Sequence, residues 1–136
     1  MAKSAAELVA EAKAQIENLS VGQMAQEVAD GNALIVDLRE PEERAQHGMI
    51  PGALLAPRGM LEFWADPTSS YHRAEFDPNR RVIVHCAGGG RSALAAVTLQ
   101  QMGYTNVAHL EPGFNGWKAA GQPVDVDEPS TPDEPN

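Results

Sequence analysis

The apolar positions of this chain fall into short runs of strand length that alternate with stretches of helical spacing. The strongest runs are residues 33–38, "ALIVDL", and residues 81–86, "RVIVHC", and a third follows at 106–113. Residues 91–103 place apolar side chains at helical intervals and end at a glycine. Buried strands that alternate with helices indicate an α/β domain with a mainly parallel central sheet.

Weaker patterns predict further elements around these. Residues 5–19 predict an amphipathic N-terminal helix, and residues 21–30 a second helix with Ser20 as its N-cap. The Glu-rich segment 40–46 predicts a short helix with Pro41 in its first turn. The remaining elements are a turn and short strand at 49–57, a helix followed by a long surface excursion at 59–80, and a final helix at 114–121.

These elements divide the chain into three parts. Residues 1–19 are the amphipathic helix, which we expect to pack on the domain or on a second subunit. Residues 20–124 form one α/β domain, since 136 residues is the length of a single domain with a proper core. Residues 125–136 are acidic and rich in proline, a composition typical of disordered segments.

The composition excludes several classes of function. A net charge of -9 argues against nucleic acid or an anionic membrane as a partner. No apolar run approaches the roughly 20 residues that span a bilayer, and Glu7 and Glu11 interrupt the N-terminal segment, so we expect no signal peptide. The single cysteine can form neither an internal disulfide nor a multi-cysteine zinc site. We therefore expect a cytoplasmic protein.

The stretch with the clearest potential for chemistry is residues 85–92, "HCAGGGRS". Cys86 ends a buried strand just before a helix. It therefore lies at the carboxyl ends of the strands, where α/β proteins bind ligands. The glycines allow successive main-chain amides to turn toward one point, and those amides, the helix N-terminus and Arg91 would favour a thiolate. Ser92 can cap the helix or donate a hydrogen bond to the sulfur. The simpler alternative is a buried cysteine followed by a turn.

This loop resembles the active site of the rhodanese family, which has the pattern Cys-x-x-Gly-x-Arg followed by Ser or Thr. Two further stretches, residues 36–53 and 110–124, resemble the early and late signatures of the same family. One departure is Met49, which stands where the family usually has histidine. The matching residues are Cys86, Gly89, Arg91 and Ser92 in the loop, Asp37, Arg39, Gly48, Ile50, Pro51, Gly52 and Ala53 in the early stretch, and Gly113, Phe114 and Trp117 in the late one.

The resemblance implies a single rhodanese-like domain whose parallel sheet is flanked by helices on both faces. It implies a sulfurtransferase that moves a sulfane sulfur from a donor such as thiosulfate to cyanide or a thiol through a persulfide on Cys86. The main-chain N–H groups of residues 87–91 would hold the outer sulfur, with no metal and no organic cofactor. The active-site loop would comprise Ala87, Gly88, Gly89, Gly90, Arg91 and Ser92.

Several other residues have predicted places. Arg58, His72 and Arg73 could rim the pocket and bind an anionic donor, although each is also readily explained as a solvated surface residue. Arg91 could attract the anionic donor, or pair with an internal carboxylate and so hold the shape of the loop. An arginine at a helix start is disfavoured by the helix dipole, so we expect it to have a specific partner. By strand alternation His85 should point away from the sulfur. The remaining predictions are structural ion pairs at Asp37 and Arg39 and core positions for Phe114 and Trp117.

Two other functions stay open. In the first, Cys86 carries persulfide to a sulfur-accepting partner protein with little turnover of small molecules. In the second, the chain is a cysteine-dependent phosphatase or arsenate reductase, whose loops also begin with His-Cys and end with Arg-Ser. Those loops have five residues between cysteine and arginine, whereas this chain has four, and no local pattern marks Asp66 or Asp77 as the general acid they require. The shorter loop favours sulfur.

Overall fold

The apolar runs form a five-stranded parallel sheet in the computed structural model, which describes residues 2–126. The spatial order is β1-β5-β4-β2-β3, and every neighbouring pair is parallel. The central strand β4 ends one residue before Cys86. The strands are β1 (Glu17–Leu19), β2 (Leu34–Asp37), β3 (Leu54–Leu55), β4 (Val82–His85) and β5 (Val107–Leu110).

The helices begin and end where local signals dictate. Ser20 caps α2 and exchanges side-chain and main-chain hydrogen bonds with Gln23, and Gly31 ends that helix in the left-handed conformation, as predicted. Pro41 occupies the first turn of α3, also as predicted. The helices are α1 (Ala5–Lys13), α2 (Val21–Asp30), α3 (Pro41–His47), α4 (Leu61–Ala65), α5 (Gly90–Gln101) and α6 (Gly113–Ala119), with a 3-10 turn at Arg58–Met60.

The three inner strands β2, β4 and β5 are buried at every position, so apolar residues dominate on both faces of the central sheet. On one face Val36, Val82 and Val84 pack with side chains of α4 and α5, such as Leu61 and Leu99. On the other face the side chains of the intervening strand positions pack with residues of α2 and α6. That second cluster includes Ile35, Ile83, Ala108, Met24, Phe114 and Trp117, so the predicted core positions of Phe114 and Trp117 are confirmed.

The predicted helix over residues 5–19 is wrong beyond Lys13. Residues Glu17–Leu19 instead form β1, an edge strand paired with β5. The side-chain amide of Asn18 donates to the carbonyl oxygens of Lys13 and Ile16, at 2.9 and 3.1 Å, and so satisfies groups that helix continuation would have used. The Ala-rich periodicity of the segment concealed this break, because Ile16 and Leu19 fit the helical spacing by coincidence.

The predicted excursion at 59–80 contains the 3-10 turn, α4 and a series of turns. Phe76 within it is buried in the core, and the Tyr104 hydroxyl donates to the Ala65 carbonyl at 2.7 Å, so the segment is anchored at two points. The predicted tail lies outside the described residues except for Asp125 and Val126. None of the helices within residues 2–126 combines the length and the apolarity needed to cross a membrane.

Candidate active site

The sulfur of Cys86 lies at the centre of a ring of polar groups from the loop that follows β4. The main-chain N–H groups of Gly89 and Ser92 donate to Sγ at 3.2 and 3.4 Å, and the Ser92 hydroxyl oxygen lies 3.5 Å from it. The side chain is almost fully buried, at 1% exposure. The two main-chain donors are therefore in place to hydrogen-bond to a negatively charged sulfur atom.

Two glycines allow the loop to close this tightly. Gly89 has φ +98°, and a Cβ there would overlap the carbonyl oxygen of Glu111. Gly113 has φ +68°, and a Cβ there would overlap the main chain of Ala87. Both positions therefore require glycine for conformation and for space. Gly88, by contrast, has neither a positive φ nor a neighbour near a Cβ position.

The start of α6 holds the base of the loop. The N–H of Phe114 donates to the carbonyl oxygen of Cys86 at 2.8 Å, and the N–H of Asn115 donates to that of Ala87 at 3.0 Å. These two donors would otherwise lack partners, since they belong to the first turn of a helix. The late sequence stretch at 110–124 is therefore tied by hydrogen bonds to the cysteine loop.

Arg91 has the specific partner that its position at a helix start required. Its guanidinium makes two hydrogen bonds with the carboxylate of Glu43 on α3, at 2.8 and 3.1 Å. These hydrogen bonds lower the pKa of Glu43 to about 2. Arg91 also interacts electrostatically with Cys86. The salt bridge thus holds the Arg91 guanidinium near the cysteine loop, with its charge balanced by the Glu43 carboxylate. Sequence reasoning missed Glu43, although it lies in the Glu-rich segment.

A buried ion pair between Arg39 and Asp37 is linked to the site through Phe114. Arg39 makes two hydrogen bonds with the carboxylate of Asp37, at 3.0 and 2.8 Å, and both side chains are fully buried. Although burial raises the pKa of Asp37, the hydrogen bonds and charge of Arg39 outweigh it and the pKa is lowered. Arg39 also donates to Gly48 and stacks 4.1 Å from the centre of the Phe114 ring. The predicted ion pair is confirmed.

His85 is buried next to this pair. Burial lowers the pKa of His85 to about 4, although the negative charge of Asp37 opposes the shift. The side chain is therefore neutral in the folded protein at neutral pH, whereas an unfolded chain protonates it near its ordinary value of 6.5. Since the unfolded state takes up the proton first, acid should favour unfolding.

We expect the free energy of unfolding to fall by roughly 3 kcal/mol as the pH drops from 6.5 to about 4, because of His85. His85→Leu should flatten the stability curve in that window when urea denaturation is followed at several pH values. His47→Gln, at an exposed position, is the matched control and should leave the slope unchanged. An equally steep slope in His85→Leu would contradict the assignment.

The three predicted rim residues lie in or next to the excursion and are engaged there. Arg58 pairs with Glu62 at 2.8 Å, and the ring of His72 hydrogen-bonds the Trp64 carbonyl at 3.0 Å. Arg73 pairs with Glu75 and stacks on Trp64. Within residues 2–126, no hydrogen bond or ion pair joins any of them to the cysteine loop.

A polar residue that sequence reasoning missed lies behind Ser92. The hydroxyl of Ser92 is 2.9 Å from Nδ1 of His109, which is fully buried on β5. A signal for it was available, because a histidine interrupts the otherwise apolar strand "VAHL". A buried polar side chain in a central sheet needs hydrogen-bond partners. The strand next to β5 is β4, and the cysteine loop follows its end.

The chain has relatives among known proteins. The chain is 34% identical over 110 residues to a sulfurtransferase from Allochromatium vinosum, which covers 81% of this chain and 92% of that protein. It is 31% identical over 103 residues to a candidate sulfur carrier protein from Bacillus subtilis, covering 75% of this chain and 51% of that protein.

A solved structure from Rhodopseudomonas palustris superimposes with a TM-score of 0.87 at 40% identity, covering 92% of this chain and 96% of that one. That protein is described as of unknown function and as a possible tyrosine phosphatase. The Rhodanese-like domain profile matches residues 20–120. That span holds the cysteine loop, the early signature stretch and the matching residues of the late one, Gly113, Phe114 and Trp117. On the strength of that match, with the parallel sheet and the loop at the end of its central strand, this chain belongs to the rhodanese-like family.

Proposed function

We propose that this chain is a sulfurtransferase that carries sulfane sulfur as a persulfide on Cys86. The observation that carries the proposal is the convergence of the Gly89 and Ser92 N–H groups on a buried sulfur. The relationship to the Allochromatium vinosum sulfurtransferase supports it. The guanidinium of Arg91, which Glu43 holds near the cysteine loop, can donate a hydrogen bond to an anionic donor such as thiosulfate.

The reaction proceeds in two covalent steps. The thiolate of Cys86 attacks the outer sulfur of thiosulfate, the sulfur–sulfur bond of the donor breaks, and sulfite leaves with the electron pair. Cys86 then carries a persulfide whose outer sulfur is negatively charged, and main-chain N–H groups of residues 87–91 stabilise it. A nucleophile such as cyanide or a thiolate attacks that outer sulfur, and the Cys86 thiolate returns.

A second candidate is a sulfur carrier that delivers the persulfide to a partner protein. The likeness to the candidate sulfur carrier from Bacillus subtilis favours it. The two roles use the same persulfide and differ in the acceptor. Transfer to cyanide or a small thiol at a catalytic rate supports turnover, whereas a stable persulfide that only a protein thiol discharges supports the carrier.

The phosphatase alternative draws on the likeness to the Rhodopseudomonas palustris structure, which shares 40% identity with this chain. Against it stands the loop, in which four residues separate Cys86 from Arg91. A tetrahedral phosphate bound over the thiolate needs a wider ring of amides than a single sulfur atom. Hydrolysis of an aryl phosphate by wild type, lost in Cys86→Ser, would support the phosphatase and count against our proposal.

The deciding experiment is intact-mass spectrometry after incubation with thiosulfate. Wild type should gain the mass of one sulfur atom, and cyanide should remove it with the formation of thiocyanate. Cys86→Ser should gain nothing, because the hydroxyl is a far weaker nucleophile than a thiolate. Thr98→Ser, a mild change at a half-buried position of α5, keeps the hydroxyl and should load like wild type. No adduct on wild type with any of several sulfur donors would overturn both sulfur proposals.

A further inference from the structure

The Ser92 hydroxyl bridges two buried groups that can exchange protons. Its oxygen lies 3.5 Å from the Cys86 sulfur and 2.9 Å from Nδ1 of His109. All three side chains are buried, with exposures of 0 to 1%. A continuous line of hydrogen-bond partners therefore leads from the reactive sulfur through α5 to β5.

The direction of the hydrogen bonds follows from Asn18. Its side-chain nitrogen already donates to two main-chain carbonyls, of Lys13 and Ile16, so its Oδ1 must face His109. Oδ1 lies 2.7 Å from Nε2 of His109 and can only accept, so Nε2 carries the hydrogen. In the neutral ring Nδ1 is then the acceptor. Ser92 must donate to Nδ1, which leaves the lone pairs of its oxygen for the thiol hydrogen of Cys86.

The charged groups that face His109 come from two elements. Glu111, directly after β5, places a carboxylate oxygen 3.3 Å from Nε2, and Lys13 on α1 pairs with the same carboxylate at 2.8 Å. Burial lowers the pKa of His109, Glu111 opposes the shift, and Lys13 adds to it. The ring is therefore held in the neutral, accepting form, while Glu111 is in place to stabilise a proton that arrives.

We propose that His109 is a positioning residue that accepts the Cys86 proton through Ser92 when the thiolate forms and returns it when the thiol is restored. The thiol proton moves to the Ser92 oxygen as the hydroxyl proton of Ser92 moves to Nδ1, and the electron pair stays on sulfur. Ser92 then donates a hydrogen bond to the thiolate, and the imidazolium donates to Ser92. No oxidant, reductant or metal enters the step.

The relay also gives a function to the N-terminal segment. Lys13 and Asn18 both precede residues 20–120, the span that matches the family. Asn18 sets the tautomer of His109, and Lys13 holds Glu111 beside the ring. In addition, Cγ2 of Val9 lies 3.9 Å from the point where a Cβ on Gly90 would stand, and Nζ of Lys13 lies 3.8 Å from the corresponding point on Gly89. Helix α1 therefore packs against the cysteine loop as well as against α5.

The test is the pH dependence of Cys86 alkylation by iodoacetamide, measured from about pH 5 to about pH 10. Because the thiol and the imidazole are coupled, the wild-type rate should rise in two steps. His109→Gln keeps a donor for Asn18 but cannot be protonated. It should give one step and a rate at neutral pH about tenfold lower than that of wild type.

Ser92→Ala should have the same effect, since it removes the bridge and leaves His109 in place. Because the two residues act in one relay, the double variant should be no slower than either single variant. Retention of the two-step profile in His109→Gln would overturn the proposal, and so would fully additive effects. Gln15→Ala, an exposed residue on the same N-terminal segment, is the matched control and should alkylate like wild type.

A measurement on wild type guards against misfolded variants. Nitrogen-15 NMR of the histidine rings should find neutral His109 protonated at Nε2. Alkylation of Cys86 should shift the pH at which the His109 ring titrates. A neutral ring protonated at Nδ1 would overturn the relay, because such a ring could not accept from Ser92. The inference rests on Cys86 as the reactive group of the proposed function. Alkylation requires no sulfur donor, so the relay and the sulfurtransferase proposal can fail separately.

Discussion

Gly89→Ala is expected to lower the rate of persulfide formation on Cys86 by about 100-fold or more, the usual cost of losing one well-placed main-chain donor at a reacting centre. The added methyl group would overlap the Glu111 carbonyl, and the φ of +98° is unfavourable for alanine. The loop must therefore move, and the N–H that lies 3.2 Å from the sulfur moves with it. The rate is measured by intact mass against time after addition of thiosulfate.

The neighbouring glycine provides the matched control. Gly88→Ala makes the same chemical change one residue away, where nothing lies within 4 Å of a Cβ and φ is not positive. This variant should load at nearly the wild-type rate. Equal loss in both variants would mean that the loop tolerates no added side chain, and that the donor of Gly89 has no special importance. Unchanged loading in Gly89→Ala would contradict the role of the Gly89 N–H as a donor to the sulfur.

Asp37→Ala is expected to lower the free energy of unfolding by about 3–5 kcal/mol, because it leaves the fully buried guanidinium of Arg39 without its counter-ion. That is a large part of the total stability of a typical domain. The effect should extend to the site, because Arg39 stacks on the Phe114 ring and the main-chain N–H of Phe114 donates to the Cys86 carbonyl. Urea denaturation at neutral pH gives the stability difference.

Two further variants separate charge from packing. Glu62→Ala breaks the more exposed pair with Arg58, and it should change stability by less than about 1 kcal/mol. The double variant Asp37→Leu with Arg39→Met replaces the buried pair by apolar side chains and should recover much of the loss. A loss of under about 1 kcal/mol in Asp37→Ala would contradict the importance of the pair.

The main architecture was predictable because strands buried on both faces leave a strong pattern. The runs at 33–38 and 81–86 each contain three consecutive β-branched or aliphatic residues, and β2 and β4 lie within them. The glycine-rich stretch after β4 identified the loop for a similarly local reason. The helix caps at Ser20 and Gly31 were also readable, since each depends on residues within one turn.

β1 was not predictable from the pattern. It is three residues long, two of them are exposed, and its pairing with β5 joins residues that are about 90 positions apart in the chain. A short edge strand has too few apolar positions to show a period of two. The local helical spacing of Ile16 and Leu19 therefore dominated the prediction, and only the tertiary pairing overruled it.

The same limit applies to the residues around the cysteine. The order Cys-Ala-Gly-Gly-Gly-Arg-Ser is local and determines where the reactive sulfur and its donors can lie. The partners of those residues come from distant elements: Glu43 on α3 for Arg91, and His109 on β5 for Ser92. No spacing rule links residues separated by 48 and 17 positions, because their distance depends on how the elements pack.

By itself, then, the sequence determined the parallel α/β sheet, the position of the cysteine loop at the end of a buried strand and the family signatures around it. Only the tertiary structure decided that the N-terminal segment breaks into a helix and an edge strand, and that Asn18 and Lys13 thereby reach His109 and Glu111. The physical reason is that propensity and capping act within a few residues. The hydrogen bonds that orient a buried histidine are formed between strands that meet only on folding.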